Sequence, residues 1–174
     1  MPILVVLAGL LIGAVIWWQR AKMARDAADE LLDVATTVRG RIRQAAFKRK
    51  AGTHPADTLD DPRDVMSSFA LATALETESW SSELEIRTVA GIAKAFRCTT
   101  VEAREYLSVA RWVVGEGRPE EVRRRLSKRL PQLVGAEVLP MATGLLHHVA
   151  GRSEDDPTGT VAEAERQLRQ RYPA

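Results

Sequence analysis

"SSELEIRTVAGIAKAFRCTTVEAREYLSVARWVVGEG", residues 81–117, sets the fold class. Twice within it a hydroxyl residue precedes a glutamate by three positions, at Ser82 and Glu85 and at Thr99 and Glu102. At that spacing the hydroxyl accepts from one free backbone N–H of a helix start, and the carboxylate reaches back to another. Leu84, Val89, Ile92, Ala93 and Phe96 then recur at helical spacing, and Ala103, Tyr106, Leu107, Ala110 and Val113 repeat the pattern. Gly115 and Gly117 end the second helix.

Working outward, the same signals recur on both sides. Pro62 suits the first turn of a helix capped by Asp60 or Asp61, with Val65, Met66, Phe69, Ala72 and Leu75 as its buried face. Pro119 opens another helix, with Glu120 and Glu121 in the first turn and Val122 and Leu126 inward. Residues 136–150 read as a further helix, with Pro140 tolerated near its start. Thr160 and Glu163 begin the last, whose apolar positions are Val161, Ala164 and Leu168. No stretch alternates with period two. The expectation is an all-α domain over 61–174, a compact bundle of about six or seven short helices with Trp112 as the large core filler.

Composition agrees with helices. Leu, Ala, Val, Arg and Glu dominate, and aromatics are 5% of the 174 residues. A net charge of +2, with basic residues spread along the chain, does not point to nucleic acid. The run Arg123, Arg124, Arg125, Lys128 and Arg129 reads as a solvated helix face rather than a nucleic-acid or lipid patch, since no aromatic platform accompanies it. Cys98 is the one cysteine, so an intramolecular disulfide and a cysteine-rich zinc site are excluded; it reads as a small core residue.

Residues 3–18, "ILVVLAGLLIGAVIWW", carry no charge. Extended by Met1, Pro2 and Gln19, the run approaches the length that a hydrocarbon core of about 30 Å requires. Trp17 and Trp18 suit the interface as an aromatic belt. Positive charge follows the run at Arg20, Lys22 and Arg25 instead of preceding it, which favours an uncleaved anchor over a signal peptide. The same asymmetry puts the N-terminus outside a bacterial inner membrane and the remainder at the cytoplasmic face, where those cations meet anionic inner-membrane lipid. Gly9 and Gly13 form a GxxxG pair, a spacing that lets two membrane helices approach closely.

Residues 20–50 read as a helical stalk. Ala21, Ala24, Ala28, Leu31, Ala35, Val38, Ile42 and Ala45 form a heptad seam that either pairs in a coiled coil, as a homodimer through anchor and stalk, or lies on the chain's own domain. Residues 51–60, with Gly52 and Pro55, read as a linker in which His54 has no evident partner.

Two acidic loops raise the question of a metal. In the first, Glu76, Glu78, Glu83 and Glu85 surround Trp80. It fails the calcium-loop template, because no glycine makes the sharp turn and the closing position counted from Glu76 is Arg87. Glu85 reads as a capping residue, Glu83 as a first-turn acid, and Glu76 and Glu78 as solvent-facing loop acids. Trp80 either tucks onto the core or marks a partner surface. The second loop holds Glu154, Asp155 and Asp156, followed by Pro157 and Gly159; with Glu163 these are the candidate divalent-cation ligands. His147 and His148 diverge on a helix, so one is expected to pack and the other to face solvent, and the two do not suit one ion.

Residues 61–172 resemble the TerB-like helical domains known from tellurite-resistance proteins and membrane-anchored DnaJ-type co-chaperones. The likeness rests on the rhythm of helix, acidic loop, capped helix, short turn and a helix ending in "ARWVVGEG". It also rests on the echo of "FALATALETESWSSELEIRTVA" in "LLHHVAGRSEDDPTGTVAEAERQL". The resemblance implies two related helical halves and divalent-cation binding at the acidic loops, although the family's Asp-Gly pair is missing from the first loop. It also implies a link to envelope or metal stress. No His-Pro-Asp triplet occurs, so co-chaperone activity is not implied.

No phosphate loop, nucleophile elbow or metalloprotease helix is present, and no acid, base and nucleophile stand together. The expectation is a non-enzymatic, membrane-anchored adaptor that binds a protein partner and needs no cofactor. The alternatives are a divalent-cation sensor of the same architecture and an accessory subunit of a larger membrane complex.

Overall fold

The structure, a computed structural model, describes residues 53–150 and 159–172. The anchor with Gly9, Gly13, Trp17 and Trp18, the stalk over 20–50, and Glu154, Asp155 and Asp156 lie outside the described residues. Six α-helices form the described part, which contains no strand: α1 (Pro62–Ala74), α2 (Ser82–Phe96), α3 (Thr100–Gly115), α4 (Pro119–Arg129), α5 (Leu139–Ala150) and α6 (Thr160–Gln170). The protein is all-α, as its periodicity indicates. Among the described residues, no helix is long and apolar enough to cross a membrane.

Helix α1 is the hub. Asp61 caps it, its carboxylate accepting from the Arg63 N–H at 2.8 Å, and Pro62 lies in its first turn. α3, α4 and α5 all pack against it, whereas α2 bridges α3 and α5, and α6 leans mainly on α5. All eleven residues from Asp64 to Ala74 are buried, so the helix hides its whole circumference and not only the predicted face. Small side chains at Ser67, Ser68, Ala70, Ala72, Thr73 and Ala74 let three neighbours approach closely. The Thr73 hydroxyl is satisfied inside its own helix, donating to the Phe69 carbonyl at 2.9 Å.

Leucines fill the centre. Leu71, Leu84, Leu126, Leu130, Leu145, Leu146 and Leu168 are fully buried, together with Ile92. Trp112 is not the main filler, contrary to expectation: it is only partly buried. Val109, Ala110, Val113 and Val114 occupy the inward positions of α3, which leaves Trp112 on its flank.

Two local readings are corrected. Ser81, and not Ser82, caps α2, its hydroxyl accepting from the Leu84 N–H at 3.1 Å. Starting one residue earlier also gives the Glu85 N–H a backbone partner in the Ser81 carbonyl at 3.0 Å, so Glu85 is not the reciprocal member of a box. The second box forms as read: Thr99 Oγ1 accepts from the Glu102 N–H at 3.2 Å, and the Glu102 carboxylate accepts from the Thr99 N–H at 2.8 Å.

Part of the stretch read as linker is packed. Residues Pro55–Asp57 form a short 3-10 turn against α4, and Ala56 and Leu59 are buried. His54 has a role there, because its Nδ1 accepts from the Ala56 N–H at 3.1 Å and caps the turn.

Candidate functional site

The arginine run on α4 is structural rather than a solvated face. Arg123 is buried and forks onto the Glu76 carboxylate at 2.5 and 3.3 Å while donating to Gln167 on α6 at 2.7 Å. Arg125 bridges Asp57 and Glu121 at 2.7 and 2.8 Å. Arg129 donates to the Leu59 carbonyl at 2.8 Å and pairs with Asp60 at 3.1 Å. Arg124 and Lys128 are the exposed members. α4 therefore clamps residues 57–60, the loop after α1, and α6.

The acids of the first loop are corrected by the same contacts. Glu76 and Glu78 are not solvent-facing: Glu76 is held by Arg123, and Glu78 by Arg87, whose Nε also donates to the Val149 carbonyl at 2.8 Å. Trp80 packs partly against the core, with the Arg111 guanidinium 4.4 Å from its ring centroid beside a shallow cleft of about 450 Å³. Of the second loop's candidate ligands, only Glu163 is described. Its carboxylate pairs with Arg166 at 2.6 Å and accepts from Gln167 at 3.0 Å. Among the described residues, no group of His, Cys, Asp and Glu gathers closely enough to hold an ion.

His147 and His148 are both exposed, instead of one packing and one facing solvent. His147 meets Glu165 of α6 at 3.0 Å, and Arg169 and His147 together hold the Glu165 carboxyl below its ordinary value. Cys98 is half-buried rather than a core residue, and burial raises its thiol pKa. Raising that pKa disfavours the thiolate and hence nucleophilic use.

A concavity of about 680 Å³ lies between α2 and α5. The two helices run antiparallel: Arg87 reaches Val149 at one end, and Phe96 and Arg97 face Pro140 and Met141 at the other. Gly91 brings them together, since a Cβ there would meet His148 Cδ2 at 2.8 Å and Leu145 Cδ1 at 3.2 Å. Phe96, Met141 and Leu145 supply an apolar lining, and Arg63, Lys94, Arg97 and His148 surround it. Arg63 is positioned from below: its guanidinium lies 5.8 Å from the Phe96 centroid and donates to the Tyr106 hydroxyl at 3.3 Å, while Phe96 and Tyr106 meet edge to face at 5.4 Å.

Arg97 is the C-cap of α2 in the left-handed region, at φ 52° and ψ 44°. Among the described residues no carboxylate pairs with Lys94, Arg97 or His148, and none lines the groove. Sequence reading missed this site because its polar residues are divided among three elements, Arg63 on α1, Lys94 and Arg97 on α2 and His148 on α5, with no motif spacing. Comparison with protein-family models, with curated proteins and with solved structures gives no match.

Proposed function

We propose that the chain is a membrane-tethered, non-catalytic adaptor. Residues 3–18 anchor it in a bacterial inner membrane with the N-terminus outside, and the helical bundle at the cytoplasmic face binds a partner protein through the α2–α5 groove. The observation that carries this reading is the groove itself, a hollow of about 680 Å³ with an apolar lining and cations at Arg63, Lys94 and Arg97. Its size is that of a ligand site, and an apolar floor with a few polar groups around it is the usual make-up of one. Elsewhere Arg123, Arg125 and Arg129 of α4 are spent on internal carboxylates, whereas among the described residues Lys94 and Arg97 carry no such pairing. The TerB-like resemblance belongs to the same proposal, supported by helix number and by the Thr99–Glu102 box.

The test is photo-crosslinking from the groove. A photoreactive residue replaces Met141 in the full-length chain, with Arg124 on the exposed side of α4 as the control position. The expected result is one discrete protein adduct from Met141, recovered in the membrane fraction and absent from the control. Recovery of the chain in the detergent-free supernatant removes the tether. Identical smears from both positions remove the adaptor.

A further inference from the structure

We propose that the α2–α5 groove is built for a short acidic, amphipathic helical segment of a partner protein, and that Gly144 and Arg97 are its specificity-determining residues. This rests on the adaptor reading and names the chemistry of its partner.

Two residues on the groove weaken the fold where better choices exist. Gly144 sits in the middle of α5, where glycine is less favourable than alanine, and it is exposed. No packing requires it: a Cβ at Gly144 would meet nothing within 4 Å, in contrast to Gly91, where the helices touch. What the missing side chain does is keep the groove open. Arg97 holds a left-handed backbone conformation that glycine or asparagine adopts with less strain. Among the described residues its guanidinium makes no ion pair, and it lines the groove instead. Both local costs fall on one hollow, and a ligand explains both.

The lining fixes the ligand's chemistry. Arg63, Lys94 and Arg97 gather near the C-terminal end of α2, and His148 supplies a ring N–H farther along α5. Carboxylates are the complementary partners. Between them the lining is apolar, so the same segment must also present apolar side chains. From Pro140 to His148 the α5 wall runs about 12 Å, or two helical turns, which suits the helix-in-groove mode. A bilayer is the rival anionic surface. The apolar surface within reach is that of Ala95, Pro140 and Met141, set in a hollow between two helices whose concave shape a flat array of headgroups would not follow.

The test uses the full-length chain in phosphatidylcholine nanodiscs. The probe is a fluorescent synthetic helix with leucines at i, i+3, i+4 and i+7 and glutamates beside them, and the control replaces each glutamate by glutamine. Anisotropy is expected to show the glutamate peptide binding about tenfold tighter than the control, with the difference shrinking as salt rises. Gly144→Leu fills open space, and Arg97→Gly relieves backbone strain. Each is expected to weaken the glutamate peptide by about tenfold without lowering the melting temperature. Equal affinity for the two peptides overturns the proposal, and so does undiminished binding by Gly144→Leu. If the peptide fails to bind while phosphatidylglycerol vesicles bind in an Arg97-dependent way, the groove is a lipid site and the proposal is overturned. A partner crosslinked as well by the Gly144→Leu chain as by the unaltered one leaves an adaptor working through another face, and it overturns the groove as the site.

Discussion

Arg123 shows how one residue can reverse a surface reading. Its side chain is 6% exposed, its fork is taken up by a Glu76 carboxylate that is itself 16% exposed, and Gln167 accepts from the remaining side. Removing one partner of a buried pair leaves an uncompensated charge, which commonly costs 3–5 kcal/mol. Glu76→Ala is therefore expected to lower the unfolding free energy by about 3 kcal/mol in urea titrations. Glu78→Ala should cost about 1 kcal/mol, because Arg87 keeps the Val149 carbonyl as a partner. His54 provides a second case, through pH. Its Nδ1 accepts from the Ala56 N–H, so the neutral ring carries its proton on Nε2, and charging it would convert that acceptor into a donor. Burial lowers its pKa from the ordinary 6.5, and Arg125 lowers it further; Asp57, Glu121 and Glu116 oppose the shift without reversing it. The folded chain thus binds fewer protons at His54 than the unfolded chain. Its contribution to stability is complete above pH 6.5 and is lost as pH falls through the lower folded value. His54→Asn keeps a side-chain acceptor for the turn and removes the titration. Subtracting its urea midpoints from those of the unaltered chain should leave a difference that grows unfavourable to the latter below pH 6.5, before the carboxylates titrate.

At the scale of the helix, what could be read from sequence was what is local. Pro62 with Asp61, Pro119, and the Thr99–Glu102 box each act within a few residues, and each stands where the pattern puts it. The start of α2 is the instructive failure. Two adjacent serines both precede acids, and the spacing rule prefers Ser82, but the backbone bond from Glu85 to Ser81 favours the earlier start. The two readings separate cleanly: Ser81→Ala should cost about 1 kcal/mol, and Ser82→Ala less than about 0.5 kcal/mol, in thermal or urea unfolding. Contacts across long sequence separations were not legible. Glu76 and Arg123 stand 47 positions apart, and Asp57 and Arg125 stand 68 apart, so neither pair leaves a periodic trace. The groove was illegible for the same reason. Arg63, Lys94, Arg97 and His148 belong to three elements and meet only once α2 and α5 are packed across Gly91.

At the scale of the described bundle, α1 decides stability. A helix touching solvent on one side can be altered there at little cost, but α1 has α3, α4 and α5 against it. Periodicity in the sequence showed one apolar face because serine, threonine and alanine complete the circumference, and small residues carry little hydrophobic signal. Their effect is steric, since they let three helices reach the same axis. Leu71 lies at 0% exposure, where truncation leaves a cavity whose walls belong to several helices and cannot all collapse inward. Leu71→Ala is expected to cost about 2–5 kcal/mol, a large share of the roughly 5–15 kcal/mol of a typical domain. Ile86 is the matched control, an aliphatic residue on α2 that is 71% exposed, and Ile86→Ala should change stability by less than about 0.5 kcal/mol. Hydrogen exchange gives the same contrast without substitution. The α1 amides should open only with global unfolding, and amides near Ile86 should exchange through smaller openings. If α1 exchanged as readily as the outer turns of α2, it would not be the hub of the bundle.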